Sequence, residues 1–158
     1  MCTFFLETNM INEYMNLAFE QAKIGFDNDE VPVGVIIVKD NIVISKAHNN
    51  KNSDNLVTSH AEIIAIEEAE RKINNWRLDG CDMYITLEPC PMCASAIKQA
   101  RIDNVYCALS NSDSDNSEII KKIFENSDST NKSVNFESNL SVDKSKLLLS
   151  MFFKNKRN

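Results

Sequence analysis

The sequence predicts an α/β fold in which a sheet is covered by helices, and two observations carry that expectation. Segments with helical periodicity and β-branched runs follow one another in the order α-β-β-α-β-α-β. The chain has 158 residues, 43% apolar and 25% charged, enough to bury a core without disulfide staples.

The elements follow in order. Asn9 to Phe26 carries Ile11, Met15, Ala18, Phe19 and Ala22 on one helical face, with Gly25 near its end. Val33 to Val38 and Ile42 to Ser45 flank Lys39-Asp40-Asn41, a hairpin signal. A polar loop runs from His48 to Ser59. Ala61 to Ile73 reads as a helix with Ile63, Ile64, Ile66 and Ala69 forming its apolar side. Met83 to Leu87 alternates as a strand, Pro91 to Ala100 is helical, and Val105 to Leu109 is a further strand. Ser110 to Ser133 is rich in Ser, Asn and Asp, with a helical island at Glu118 to Phe124; its low complexity predicts a mobile excursion from one domain spanning 1–158. Val134 to Phe136 suits a short edge strand, and Leu140 to Lys154 a closing amphipathic helix.

Charge and cysteine usage bound the function. The net charge of −6 gives no overall basic footprint for nucleic acid. Lys144, Lys146, Lys154, Lys156 and Arg157 gather near the C-terminus, where they suit either a local basic face or a solvated helix end complementing its dipole. The longest apolar run, Val31 to Val38, is strand-sized and holds Pro32 and Gly34, so no membrane span is expected. The opening Met1 to Glu7 lacks the basic start of a signal peptide. Five cysteines, two of them in Cys90-Pro91-Met92-Cys93, suit metal or redox chemistry in the cytoplasm better than a secreted disulfide framework.

The chemistry gathers at two helix starts. Zinc favours thiolate and imidazole, and a catalytic zinc keeps three protein ligands and a water. Cys90 and Cys93 lie three apart, so their sulfurs face one way on a single turn, and a helix N-terminus favours their thiolates. Pro89 and Pro91 fix the approach and the first turn. His60 opens the other helix and completes the candidate ligand set, one zinc per chain. Glu62 is positioned to move protons to and from the activated water, which makes the site an enzyme candidate. His-x-Glu followed by Pro-Cys-x-x-Cys is the established signature of zinc nucleobase deaminases. A structural zinc site would need a fourth ligand from Cys81, Cys107 or His48. The two cysteines read as buried thiols in apolar strands and His48 as a loop residue.

The runs Glu30-Val31-Pro32-Val33-Gly34, Asn74-Asn75-Trp76-Arg77-Leu78, Asp79 through Ala94, and Leu147 through Phe153 resemble the bacterial tRNA adenosine deaminases. The resemblance covers nearly the whole chain and implies a three-layer α/β/α, cytidine-deaminase-like fold with a central, mostly five-stranded mixed sheet. It also implies a homodimer that converts the wobble adenosine of a tRNA anticodon loop to inosine. By the same resemblance His60, Cys90 and Cys93 are zinc ligands and Glu62 the proton shuttle. Asn49 contacts the target nucleoside, Val31 and Leu87 lie near the base, and Phe152 belongs to a closing helix that helps contact RNA. From the residues alone, Asn49 reads as a turn residue beside Asn50, Val31 and Leu87 read equally as core, and half-buried packing is the simpler explanation for at least one of Phe152 and Phe153.

One stretch departs from the family. After Leu109 the family continues with basic residues and glycine, whereas this chain reads Ser110-Asn111-Ser112-Asp113-Ser114-Asp115. Asp113 and Asp115 weaken attraction to phosphates, on which nucleic-acid binding leans. Two other readings therefore stand beside the tRNA enzyme: a deaminase of free guanine, cytosine or a nucleoside, and a non-catalytic zinc-stabilised subunit. Retention of Glu62 argues against the last.

Overall fold

The computed structural model describes residues 2–110, 115–127 and 132–157, with the side chains of 2–5 set aside. The elements are α1 (Cys2–Asp27), β1 (Gly34–Lys39), β2 (Ile42–His48), α2 (Lys51–Asp54), α3 (Ala61–Ile73), β3 (Cys81–Ile85), α4 (Pro91–Gln99), β4 (Asn104–Cys107), α5 (Asp115–Glu125), β5 (Asn135–Glu137) and α6 (Val142–Arg157). The five strands form a mixed sheet in the order β2-β1-β3-β4-β5. β1 pairs antiparallel with β2 and β3, while β3, β4 and β5 are parallel.

Side-chain alternation builds two cores. In β1, Val35 and Ile37 join Met83, Ile85, Val105 and Cys107 against α3, α4 and α5. Ile36 and Val38 point the other way, toward Met15, Ala18 and Phe19 of α1, with Leu148 of α6 packed alongside. Every one of these β1 side chains is buried, because the strand is covered on both faces. The result is three layers, helix on sheet on helix. The expected three-layer α/β/α architecture with a five-stranded mixed sheet is what the chain adopts.

Local chemistry explains the boundaries. Asp40 and Asn41 take φ of 50° and 61°, the left-handed pair that joins β1 to β2 in a tight hairpin. Asn74 at φ 53° closes α3, its N–H returning to Arg71 and Glu70 carbonyls. The strand expected at Met83 to Leu87 lies two residues earlier, because the chain leaves the sheet after Ile85. Within the stretch expected to be low in structure, the Glu118–Phe124 island extends to Asp115–Glu125, with Ile120 and Phe124 buried against the α3–α4 layer. Lys98 of α4 donates to the Ile123 carbonyl at 2.6 Å and also to that of Asn126, satisfying the end of this helix. The edge strand expected at Val134 to Phe136 is Asn135–Glu137.

Strand direction places the functional end. β2 and β3 both run antiparallel to β1, so they end at the same edge of the sheet. α3 follows β2 through a loop holding α2, and α4 follows β3 directly, so both helices start at that edge.

Gly34 opens β1 under α1 with no room for a side chain. A Cβ there would stand 1.8 Å from the Ala18 carbonyl oxygen and 2.5 Å from the Ala22 nitrogen, both backbone atoms. Gly34→Ala is therefore expected to lower the unfolding free energy by about 3 kcal/mol, the upper range for overpacking a core. Urea denaturation measures it, and a variant as stable as wild type would show that α1 does not seat on β1 this closely.

Candidate metal and catalytic centre

The two helix starts bring three metal-ligating side chains together. His60 is the N-cap of α3 and Cys90 the N-cap of α4, both with extended backbone, and Pro91 occupies the first turn of α4. The His60 Nδ1 lies 3.5 Å from Cys93 Sγ and 3.8 Å from Cys90 Sγ. All three ligand atoms lie within 4.8 Å of one another. Among the described residues this is the cluster of histidine, cysteine and carboxylate groups able to hold a metal ion. Its imidazole and two thiols are the soft, borderline donors zinc prefers, and three ligands leave a fourth position open.

The protonation pattern fits a dication. Cys90 sits well below the ordinary thiol range, at about 5, chiefly because the Cys93 thiol donates to its sulfur. Backbone N–H groups of Cys93 and Met92 at the start of α4 add to this. Cys93 moves upward, since it holds the proton the two sulfurs share. A metal can take the place of that proton.

Glu62, in the first turn of α3, is 3% exposed. Burial pushes its carboxyl up to about 7, and the neighbouring Cys90 adds to the rise. A carboxyl balanced between its two forms near neutral pH suits proton exchange.

Glu62 opens onto a cavity of about 370 Å³. His60 and Cys90 share its wall with Val31, Leu87 and Asn49, so five of the expected site residues converge there with Glu62. Cys93 is fully buried behind them. Phe152 lies elsewhere. It is buried against the Phe26 ring at 5.9 Å, joining α6 to α1, while Phe153 beside it is about half exposed. Cys81 and Cys107 are fully buried thiols, Cys81 pushed up to about 11 by burial. His48 bonds through Nδ1 to the Asn49 carbonyl at 3.0 Å and stays outside the cluster. Of the altered stretch, Asn111 and Asp113 lie outside the described residues.

The sequence did not single out Glu30 as a wall residue, yet it also lines the cavity. It is 1% exposed, and its carboxylate accepts from the Ser53 N–H at 2.8 Å, the Asn52 N–H at 3.2 Å and the Ser53 hydroxyl at 3.1 Å. These bonds hold α2 against the cavity. A buried carboxylate needs such partners, so an acidic residue leading Val31-Pro32-Val33 was the available signal.

Asn49 spans the same wall. Its Oδ1 accepts from the Ala61 N–H at 2.8 Å and its Nδ2 donates to the Val31 carbonyl at 3.1 Å. One amide thus caps α3 and ties it to the strand leading into β1. Asn49→Ala removes both bonds and is expected to cost about 1–3 kcal/mol of stability. Thermal unfolding of the metal-free protein checks this, and an unshifted midpoint would refute the bridge.

Comparison with known proteins agrees with the geometry. The model of the MafB19-like deaminase family matches residues 9–157. A tRNA-specific adenosine deaminase of Buchnera aphidicola is 36% identical over 152 residues, covering 96% of this chain and 99% of that protein. The enzyme of the same name from Aquifex aeolicus is 48% identical over 92 residues, covering 58% of this chain but only 61% of its own length. Among solved structures, one from a study of A-to-I editing by tRNA:A34 deaminases at the wobble position superposes with a TM-score of 0.79 and 35% identity. It covers 87% of this chain and 99% of that one. A guanine deaminase from Bacillus subtilis superposes at 0.63 with 32% identity, covering 80% and 83%. Sharing sequence over nearly its full length with such a relative, and its fold with solved deaminases, the chain belongs to the tRNA-specific adenosine deaminase family.

Proposed function

We propose that this protein hydrolyses the 6-amino group of the wobble adenosine in a tRNA anticodon loop, giving inosine and ammonia. The observation that carries the reading is the placement of Glu62 beside His60, Cys90 and Cys93 on one cavity wall. The full-length likeness to a tRNA-specific adenosine deaminase supplies the substrate.

His60 through Nδ1, with Cys90 and Cys93 through their sulfurs, would hold one zinc ion. Zinc, when bound, supplies a Lewis acid that makes water nucleophilic near neutral pH. Glu62 takes a proton from the attacking water, delivers it to the ring nitrogen next to the reacting carbon, and carries the second proton to the leaving amine. Burial of its carboxyl keeps both forms accessible through this exchange. Val31 and Leu87 supply apolar faces for the base. Asn49, already fixed to Ala61 and Val31, presents its remaining amide capacity to the nucleoside. A base in a single-stranded loop can enter such a cavity without opening a duplex.

The same reading takes residues 1–158 as one catalytic domain working in the cytoplasm, where its RNA substrate is found. It also takes the enzyme as a homodimer. Leu56 and Val57, just before α3, and Met92, in α4, are exposed apolar residues that offer surface for that contact. Among the described residues no helix is long and apolar enough to cross a membrane. The likeness to guanine deaminase supports one competing reading, turnover of a free base.

An anticodon stem-loop with adenosine at the wobble position separates the two. The zinc-loaded enzyme is expected to form inosine there and to leave guanine, cytosine and free nucleosides untouched. Turnover of free bases alone would contradict the tRNA reading. Glu62→Gln is expected to retain the metal while losing about 10²–10⁴-fold in kcat. Full activity in that variant would remove Glu62 from the mechanism.

A further inference from the structure

The catalytic cavity does not end at Cys90. A second hollow of about 930 Å³ shares Leu87, Glu88 and Cys90 with it and extends past Leu109 to α6. The two make a continuous trough with Cys90 in the common wall. Each half holds one lysine, Lys51 of α2 in the first and Lys146 of α6 in the second.

Both lysines are exposed, and among the described residues neither ammonium group has an ion-pair or hydrogen-bond partner. Two other lysines of α6 are engaged. Lys144 donates to Asn16 Oδ1 at 3.2 Å and lies over the Phe19 ring, and Lys156 pairs with Asp29 at 2.6 Å. Lys51 and Lys146 therefore offer positive charge to a ligand without breaking an existing bond. In a chain of net charge −6, two unpaired cations flanking the reactive centre stand out.

We infer that Lys51 and Lys146 hold the phosphates on either side of the target nucleotide, so that the RNA backbone crosses the trough and its base drops toward Glu62. This deepens the tRNA reading and rests on it. Glu88, in the shared wall, fits the arrangement. Its carboxylate is anchored by the hydroxyls of Ser110 and Ser117, and its charge keeps phosphates away from the centre, which is left to the base. The two lysines take over a task that the stretch after Leu109, without a basic residue through Asp115, cannot perform. A free nucleobase has no phosphate and would use neither.

The test is binding of a fluorescent anticodon stem-loop to the zinc-loaded enzyme across a salt series. Lys51→Ala and Lys146→Ala are each expected to raise Kd several-fold. Each should also reduce the slope of log Kd against log salt by about 0.7, the value for one phosphate contact to a single strand. Lys51→Arg and Lys146→Arg should restore both quantities, and Lys72→Ala, on the exposed side of α3, should change neither. Wild-type enzyme that binds and deaminates the stem-loop, with both alanine variants matching it in Kd and slope, would overturn this inference alone. Wild-type enzyme that neither binds nor deaminates it would overturn the tRNA reading and this inference together.

Discussion

His60, Cys90 and Cys93 meet because two strands run the same way. β1 lies between β2 and β3 and is antiparallel to both, so both neighbours deliver the chain to one edge of the sheet. The helices that follow begin there, with His60 and Cys90 as their N-caps. Unpaired N–H groups at such a start stabilise anionic sulfur, and Pro91 fixes the first turn without losing a needed donor. Cys93 then falls one turn inside, buried and facing the same way as Cys90. Reversing either strand would send one ligand set to the opposite edge. The candidate metal cradle is a consequence of topology.

The walls around it are held by bonds that span the sequence. Asn49 links the start of α3 to Val31, Glu30 clamps α2, and Glu88 draws on hydroxyls beyond β4. Each is a polar group whose burial would be costly without those partners, so each specifies one arrangement of its loop. Gly34 and Phe152 act further out. Gly34 lets α1 seat on the sheet, and Phe152 fastens α6 to Phe26. Phe152, which family likeness assigned to RNA contact, holds its helix in place; Lys146 on that helix faces the trough.

Periodicity and spacing made much of this legible. Helix Ala61–Ile73 was readable to the residue from its apolar face of Ile63, Ile64, Ile66 and Ala69. The candidate cluster of His60, Cys90 and Cys93 was readable because Cys-x-x-Cys places both sulfurs on one turn and His-x-Glu sets an acid near the histidine. α2 was not, because Lys51-Asn52-Ser53-Asp54 has no apolar period and is fastened by Glu30, over twenty residues away. α5 read too short, because the residues that extend it at its start, Asp115, Asn116 and Ser117, carry no apolar period. The cavity wall depends on contacts between distant segments, which no local pattern encodes.

Zinc K-edge X-ray absorption on the purified, active protein reaches the central claim most directly, because it counts the ligands the topology brings together. One zinc per chain with two sulfur neighbours at about 2.3 Å and two nitrogen or oxygen neighbours at about 2.0–2.1 Å is the expected result. It would correspond to Cys90, Cys93, His60 and one open position filled by solvent. Three or four sulfur neighbours, or active protein without zinc, would contradict it.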